Sequence, residues 1–133
     1  MIVDSSVIVA ILREEPGFQR YAEALDRHRH RAYISAATSV ETGVVADGVS
    51  PAIGRAMDSL MKASNIEIVP FTEAQARIAR AAYKDFGRGS GHPARLNFGD
   101  CFAYALAVDR DEPLLYKGDD FGHTDVRNAL EDT

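Results

Sequence analysis

Met1-Ile-Val-Asp4-Ser-Ser6 opens the chain with a short apolar run that ends on an acid. It reads as a buried strand. Ser5 or Ser6 caps the helix that follows, Val7 to Arg13, and Pro16 suits the first turn of a second helix running to about His28. Arg31-Ala-Tyr-Ile-Ser35 reads as a second strand. A helix from about Ala37 to Asp47 comes next, with Val40, Val44 and Val45 on one face, and Ser50-Pro51 starts another to about Ala63. Ile66-Glu-Ile-Val69 is a third strand, ended by Pro70, and Thr72 caps a helix with Glu73 in its first turn. Phe86-Gly-Arg-Gly-Ser-Gly-His-Pro-Ala-Arg95 reads as a flexible loop, because it carries three glycines, a proline and no apolar periodicity. A helix from Phe98 to Asp109 and a fourth strand, Pro113-Leu-Leu-Tyr116, follow. His123 to Val126 is expected to add a short edge strand, and the C-terminal residues to be weakly ordered. Strands alternating with helices imply parallel pairing and an α/β sandwich, in which ligands bind beyond the carboxyl ends of the strands.

The 133 residues imply one domain, residues 1–133, and a composition 46% hydrophobic and 26% charged is enough for a single core. A net charge of −5 argues against a general, charge-driven DNA binder. It leaves an RNA enzyme open, since carboxylates gathered in one cleft account for much of the excess. The lone Cys101 has no internal disulfide partner and reads as a buried core thiol. With no leader-like start and no apolar run approaching the ~20 residues of a membrane span, the chain reads as cytoplasmic, with no membrane contact.

Four acids fall in separated stretches, each at a strand end or helix start: Asp4, Glu41 in Thr38-Ser-Val-Glu41, Asp100 in Asn97-Phe-Gly-Asp100, and Asp119 in Lys117-Gly-Asp-Asp120. Taken singly, each serves equally well as a helix cap, a dipole partner or a turn residue. Asp4 and Asp100 are embedded in apolar sequence with no Arg or Lys at i±3 or i±4. An unpaired carboxylate is costly there, so something cationic must compensate them. Hard cations such as Mg²⁺ and Mn²⁺ prefer such oxygens, and converging carboxylates suit metal-assisted attack on a phosphodiester.

At this point the chain resembles the PIN-domain proteins, specifically the VapC-type toxins of bacterial VapBC toxin–antitoxin systems. The matching segments are Met1-Ile-Val-Asp-Ser-Ser6, Ser35-Ala-Ala-Thr-Ser-Val-Glu-Thr42, Leu96-Asn-Phe-Gly-Asp-Cys-Phe-Ala-Tyr-Ala-Leu-Ala107 and Pro113-Leu-Leu-Tyr-Lys-Gly-Asp-Asp-Phe-Gly-His-Thr-Asp125, in family order. The resemblance implies a three-layer α/β/α sandwich with a mostly parallel central sheet of four to five strands. It implies a toxic endoribonuclease that uses Mg²⁺ or Mn²⁺ held by carboxylates, together with an activated water, to hydrolyse RNA. The family's acids fall on Asp4, Glu41 and Asp100, with the fourth on Asp119 and neighbouring Asp120 as its competitor. Asp4 and Asp100 are then the main metal ligands, and Glu41 and Asp119 bind a second ion or orient water. The family's small polar residue after the first acid falls on Ser6, which reads equally well as a helix cap.

RNA must also be held, and Arg88, His92 and Arg95 stand among the glycines of the loop, with Lys117 near Asp119. Flexible basic loops contact phosphates without fixed sequence readout. The resemblance further implies a homodimer neutralised by a separate VapB-type antitoxin. Val45, Val49, Ile53, Met57 and Met61 read either as apolar helix surface beyond what a small monomer needs, suited to docking a partner, or simply as core. Two other Mg²⁺-binding classes fit poorly: a receiver domain lacks its acid after Ile66-Glu-Ile-Val69, and a dehalogenase-type phosphotransferase lacks its second Asp, at Ser6. The remaining alternative is a catalytically silent module that acts only by pairing with an antitoxin.

Overall fold

The computed structural model describes residues 1–131. Along the chain run β1 (Ile2–Val3), α1 (Ser5–Leu12), α2 (Phe18–Arg27), β2 (Tyr33–Ser35), α3 (Ala36–Val49), α4 (Pro51–Ala63), β3 (Glu67–Val69), α5 (Glu73–Phe86), α6 (Asp100–Arg110) and β4 (Leu114–Leu115). The four strands form one sheet in the order β3-β2-β1-β4, and every neighbouring pair is parallel. Ile2 stands beside Tyr33 on one side and Leu114 on the other. Successive strand residues face opposite ways. Met1, Val3, Ile34 and Leu115 therefore join Val7, Ile8, Tyr21, Leu25, Met57 and Met61 in one core. Ile2, Leu114 and Tyr116 join Ala79, Ala82, Cys101, Tyr104 and Leu106 in a second. Helices α1, α2 and α4 cover one face and α5 and α6 the other, which is the three-layer α/β/α architecture expected.

β2 and β3 extend to one side of β1 and β4 lies on the other. The carboxyl ends of β1 and β4 thus flank the change of winding direction at which such sheets bind ligands. Asp4 and Lys117 emerge there, and the Asp4 N–H donates to the Leu115 carbonyl at 3.0 Å.

Several local expectations need correction. The cap of α1 is Asp4, whose carboxylate accepts the Ser6 N–H, rather than Ser5 or Ser6. Gly17, with φ of 82°, is the residue before α2, so Pro16 lies outside the helix. His123 to Val126 forms no strand. Phe121–His123 makes a 3₁₀ turn, and the extra pairing is a single bridge from Leu114 to Asn128. Ala129 is buried in the first core; Asp132 and Thr133, to which the expectation of weak order also applied, lie outside the described residues. On α3 the inward face is Thr38, Thr42 and Ala46, small side chains that let the helix lie close to its neighbours. Val40 and Val44 are 66% and 68% exposed, and Val45 and Val49 are also open, whereas Met57 and Met61 are core. Among the described residues, no helix is long and apolar enough to cross a membrane.

Candidate active site

Asp4 ends the central strand and is 2% exposed. Its Oδ2 accepts the Ser6 N–H at 3.0 Å, while its Oδ1 is buried and has no hydrogen-bond partner among the described residues. Burial pushes its pKa up, hydrogen bonding from Ser6 pulls it down, and the charge of Glu41 raises it further. Ser6 works in two directions: its Oγ accepts the Lys117 N–H at 2.9 Å, which fastens the end of β4 to α1.

Glu41 lies in α3, half-buried. Burial and the charge of Asp100 raise its pKa, and a hydrogen bond from the Ser5 side chain opposes them. Its carboxylate presses on Gly99, where a Cβ would overlap it. Glycine is therefore what lets α3 bring an acid against the start of α6.

Asp100 is the first residue of α6. Its Oδ2 accepts the Asn97 N–H at 2.9 Å, and its own N–H donates to Asn97 Oδ1 at 2.8 Å. This reciprocal pair closely resembles a capping box and fixes the carboxylate's position. Burial, then the charges of Asp4 and Asp120, raise its pKa from 3.8 to about 6, against the Asn97 hydrogen bond and the charge of Arg88. Cys101 is a buried core thiol, as expected, with its pKa raised to about 11 by burial and by Asp100.

Asp4, Glu41 and Asp100 are thus brought into one another's field. Of the two candidates for the fourth acid, Asp120 acts on Asp100, whereas Asp119 acts on Tyr116. Asp119 lines a separate cavity of about 660 Å³ with Arg20, Tyr116, Lys117, His123 and Glu131. Lys117 itself pairs with Glu15 at 2.8 Å. Arg88 stands at the base of the glycine-rich loop, where its N–H bonds the Leu96 carbonyl at 3.0 Å and the Leu96 N–H bonds the Phe86 carbonyl at 2.9 Å. With Ala94 and Leu96 fully buried, the loop is pinned at its base, and the Gly89–Gly91 tip is exposed. His92 contributes to this pinning: its ring packs edge-on to Phe86, and its Nδ1 accepts the Ala94 N–H at 3.1 Å. Arg95 is exposed with φ of 50°. Two functional candidates escaped the sequence reading: Asn97, signalled by Asn97-x-x-Asp100, and Ser5, which no local pattern ties to Glu41.

Crowded acids with raised pKa values and an orphaned buried oxygen suit a hard cation, which prefers carboxylate oxygens. Among the described residues, no three His, Cys, Asp or Glu side chains stand close enough as placed to hold one. The donor chemistry of Asp4, Glu41, Asp100 and Asp120 nevertheless fits such an ion.

The PIN domain family model matches residues 1–127. Ribonuclease VapC28 of Mycobacterium tuberculosis is 58% identical over 132 residues, 98% of each chain. Ribonuclease VapC42 of the same organism is 48% identical over 130 residues, 97% of this chain and 98% of that one. The chain belongs to the PIN-domain family, among the proteins named VapC ribonucleases. The fold also matches the crystal structure of VapBC2 from Rickettsia felis bound to a DNA fragment from their promoter, with a TM-score of 0.71, 12% identity and coverage of 96% of this chain and 94% of that one.

Proposed function

We propose that the protein is the ribonuclease toxin of a toxin–antitoxin pair, an endoribonuclease that hydrolyses RNA phosphodiesters with a divalent cation, Mg²⁺ or Mn²⁺. The observation that carries this reading is the Oδ1 of Asp4, buried and without a hydrogen-bond partner among the described residues, beside two further acids whose charges raise one another's pKa. Near-identity in length and 58% identity to a protein named as a ribonuclease support it.

Asp4 and Asp100 would hold the cation, with Glu41 and Asp120 beside them. When bound, such an ion neutralises phosphate charge and acidifies water. Asp4 is oriented by Ser6 and Asp100 by Asn97, so both carboxylates are fixed before substrate arrives. Glu41, half-buried and raised in pKa, would bind a second ion or orient the attacking water. Arg88 supplies positive charge at the same cleft and would meet the RNA backbone, with Arg95 further along the loop.

The VapBC title of the fold neighbour supports a VapB-type antitoxin as partner. The exposed Val40 and Val44 of α3 offer an apolar surface for that chain or for a second copy in a homodimer. RNA cleavage by the purified protein, with Mn²⁺ and then with excess EDTA, tests the enzymatic reading. Cleavage only with the ion supports it, and an intact RNA under both conditions would leave a binding module.

A further inference from the structure

We propose that the aromatic cavity between α5 and α6 is a nucleobase subsite that stacks one unpaired base of the RNA beside the cut. The proposal rests on the ribonuclease reading. The cavity measures about 330 Å³ and is lined by Phe71, Arg80, Tyr83, Phe98 and Phe102, with little polar surface. Phe98 is 71% exposed, the most open large apolar side chain of the described residues, and Tyr83 is 41% exposed. Phe98 is nevertheless held in place. Its ring meets Phe102 in a T-shaped contact at 4.9 Å and 76°, and Phe102 meets Phe71 in another at 5.1 Å and 80°. A fixed aromatic ring with an open face is a stacking platform, because every base presents a π-face to it.

Position selects the occupant. Phe98 lies two residues before Asp100, and Gly99 between them touches the Glu41 carboxylate. Cys101, which follows Asp100, also lines the cavity, so the cavity lies beside the start of α6 that carries this acid, and a strand held at Asp100 would pass next to it. Arg80, exposed at the rim, offers a cation to the flanking phosphate or to the base face. Sequence-specific RNA recognition works largely by splaying out single bases onto aromatic and Arg side chains. The subsite would accordingly bias which nucleotide stands next to the scissile bond.

The chain contains no tryptophan, so Phe98→Trp installs a single reporter at an exposed position. It is made in an Asp100→Asn background, where the RNA survives. The probes are a short unstructured RNA oligonucleotide and an abasic oligonucleotide of equal length. RNA is expected to quench the tryptophan and the abasic strand to bind roughly 10-fold more weakly, as is RNA to Phe98→Ala. Equal affinity for the two strands, or RNA that binds by anisotropy without quenching, overturns the subsite and leaves the ribonuclease reading standing. Quenching that follows protein concentration alone, with a dimer by light scattering, hands the cavity to a second copy and also overturns it. If wild-type protein in Mn²⁺ neither binds nor cuts RNA, both readings fall.

Discussion

Asp100→Asn should make the metal-free protein more stable at neutral pH, although it removes a residue on which the site depends. Burial, reinforced by the charges of Asp4 and Asp120, lifts the Asp100 pKa from 3.8 to about 6. A shift of roughly two units at about 1.4 kcal/mol each sets an upper bound of ~3 kcal/mol on the cost of ionising it in the fold. The side chain is partly open to solvent, so screening reduces this to ~1–2 kcal/mol. Loss of a negative charge from the first turn of α6 returns ~0.3–1 kcal/mol. The net gain is about 1 kcal/mol, or roughly 3–5 °C in Tm for a chain of this size. Asn keeps an acceptor for the Asn97 N–H, so the local turn survives. Because the folded pKa lies above the unfolded one, the native wild type binds the extra proton, and its stability falls as pH rises from about 4 through about 6. The gap between variant and wild type should therefore be full above about pH 7 and close near pH 4. Thermal denaturation in EDTA across that range measures it. An Asp100→Asn protein less stable than wild type at neutral pH would refute the account of a crowded, uncompensated carboxylate cluster.

Mg²⁺ or Mn²⁺ should stabilise the wild type at neutral pH by about 2.7 kcal/mol at 100 times the dissociation constant, read as a rise in Tm. The same titration on Asp100→Asn should give a much smaller rise, and equal rises in differential scanning fluorimetry would place the ion elsewhere. Gly99→Ala should displace the Glu41 carboxylate, the flexible end of its side chain, and so lower cleavage at least about 10-fold while changing stability by no more than about 1 kcal/mol. Wild-type turnover in that variant would detach Glu41 from the chemistry. Replacing both Arg88 and Arg95 with Ala should weaken RNA binding and flatten its salt dependence by about one to two contacts. An unchanged salt slope would leave the loop as a connector.

Much of the fold was legible because its signals are local. The apolar strand cores, the caps at Ser50 and Thr72 and the alternation of element types all survive in the structure. So does the grouping of Asp4, Glu41 and Asp100, since strand ends and helix starts in a parallel sheet converge on one side. What failed depends on packing that no local pattern encodes. Val45 and Val49 are open as their pattern suggests, but Met57 and Met61, grouped with them as candidate surface, are drawn into the core by the packing of α4. Asp119 and Asp120 are indistinguishable in sequence, and only the folded chain shows that Asp120 is the one whose charge acts on Asp100. The ties from Ser5 to Glu41 and from Ser6 to Lys117 cross between elements and become visible only in three dimensions.

The most direct measurement is a cleavage time course on one RNA substrate in Mn²⁺, comparing wild type with Asp4→Asn and using circular dichroism to show that both are folded. The account predicts cutting by the wild type that stops in EDTA. It predicts that Asp4→Asn is at least about 100-fold slower, since residues that merely orient metal ligands already matter by roughly 10- to 100-fold. Equal rates for the two folded proteins in Mn²⁺ would contradict the assignment of the acid cluster as the catalytic centre.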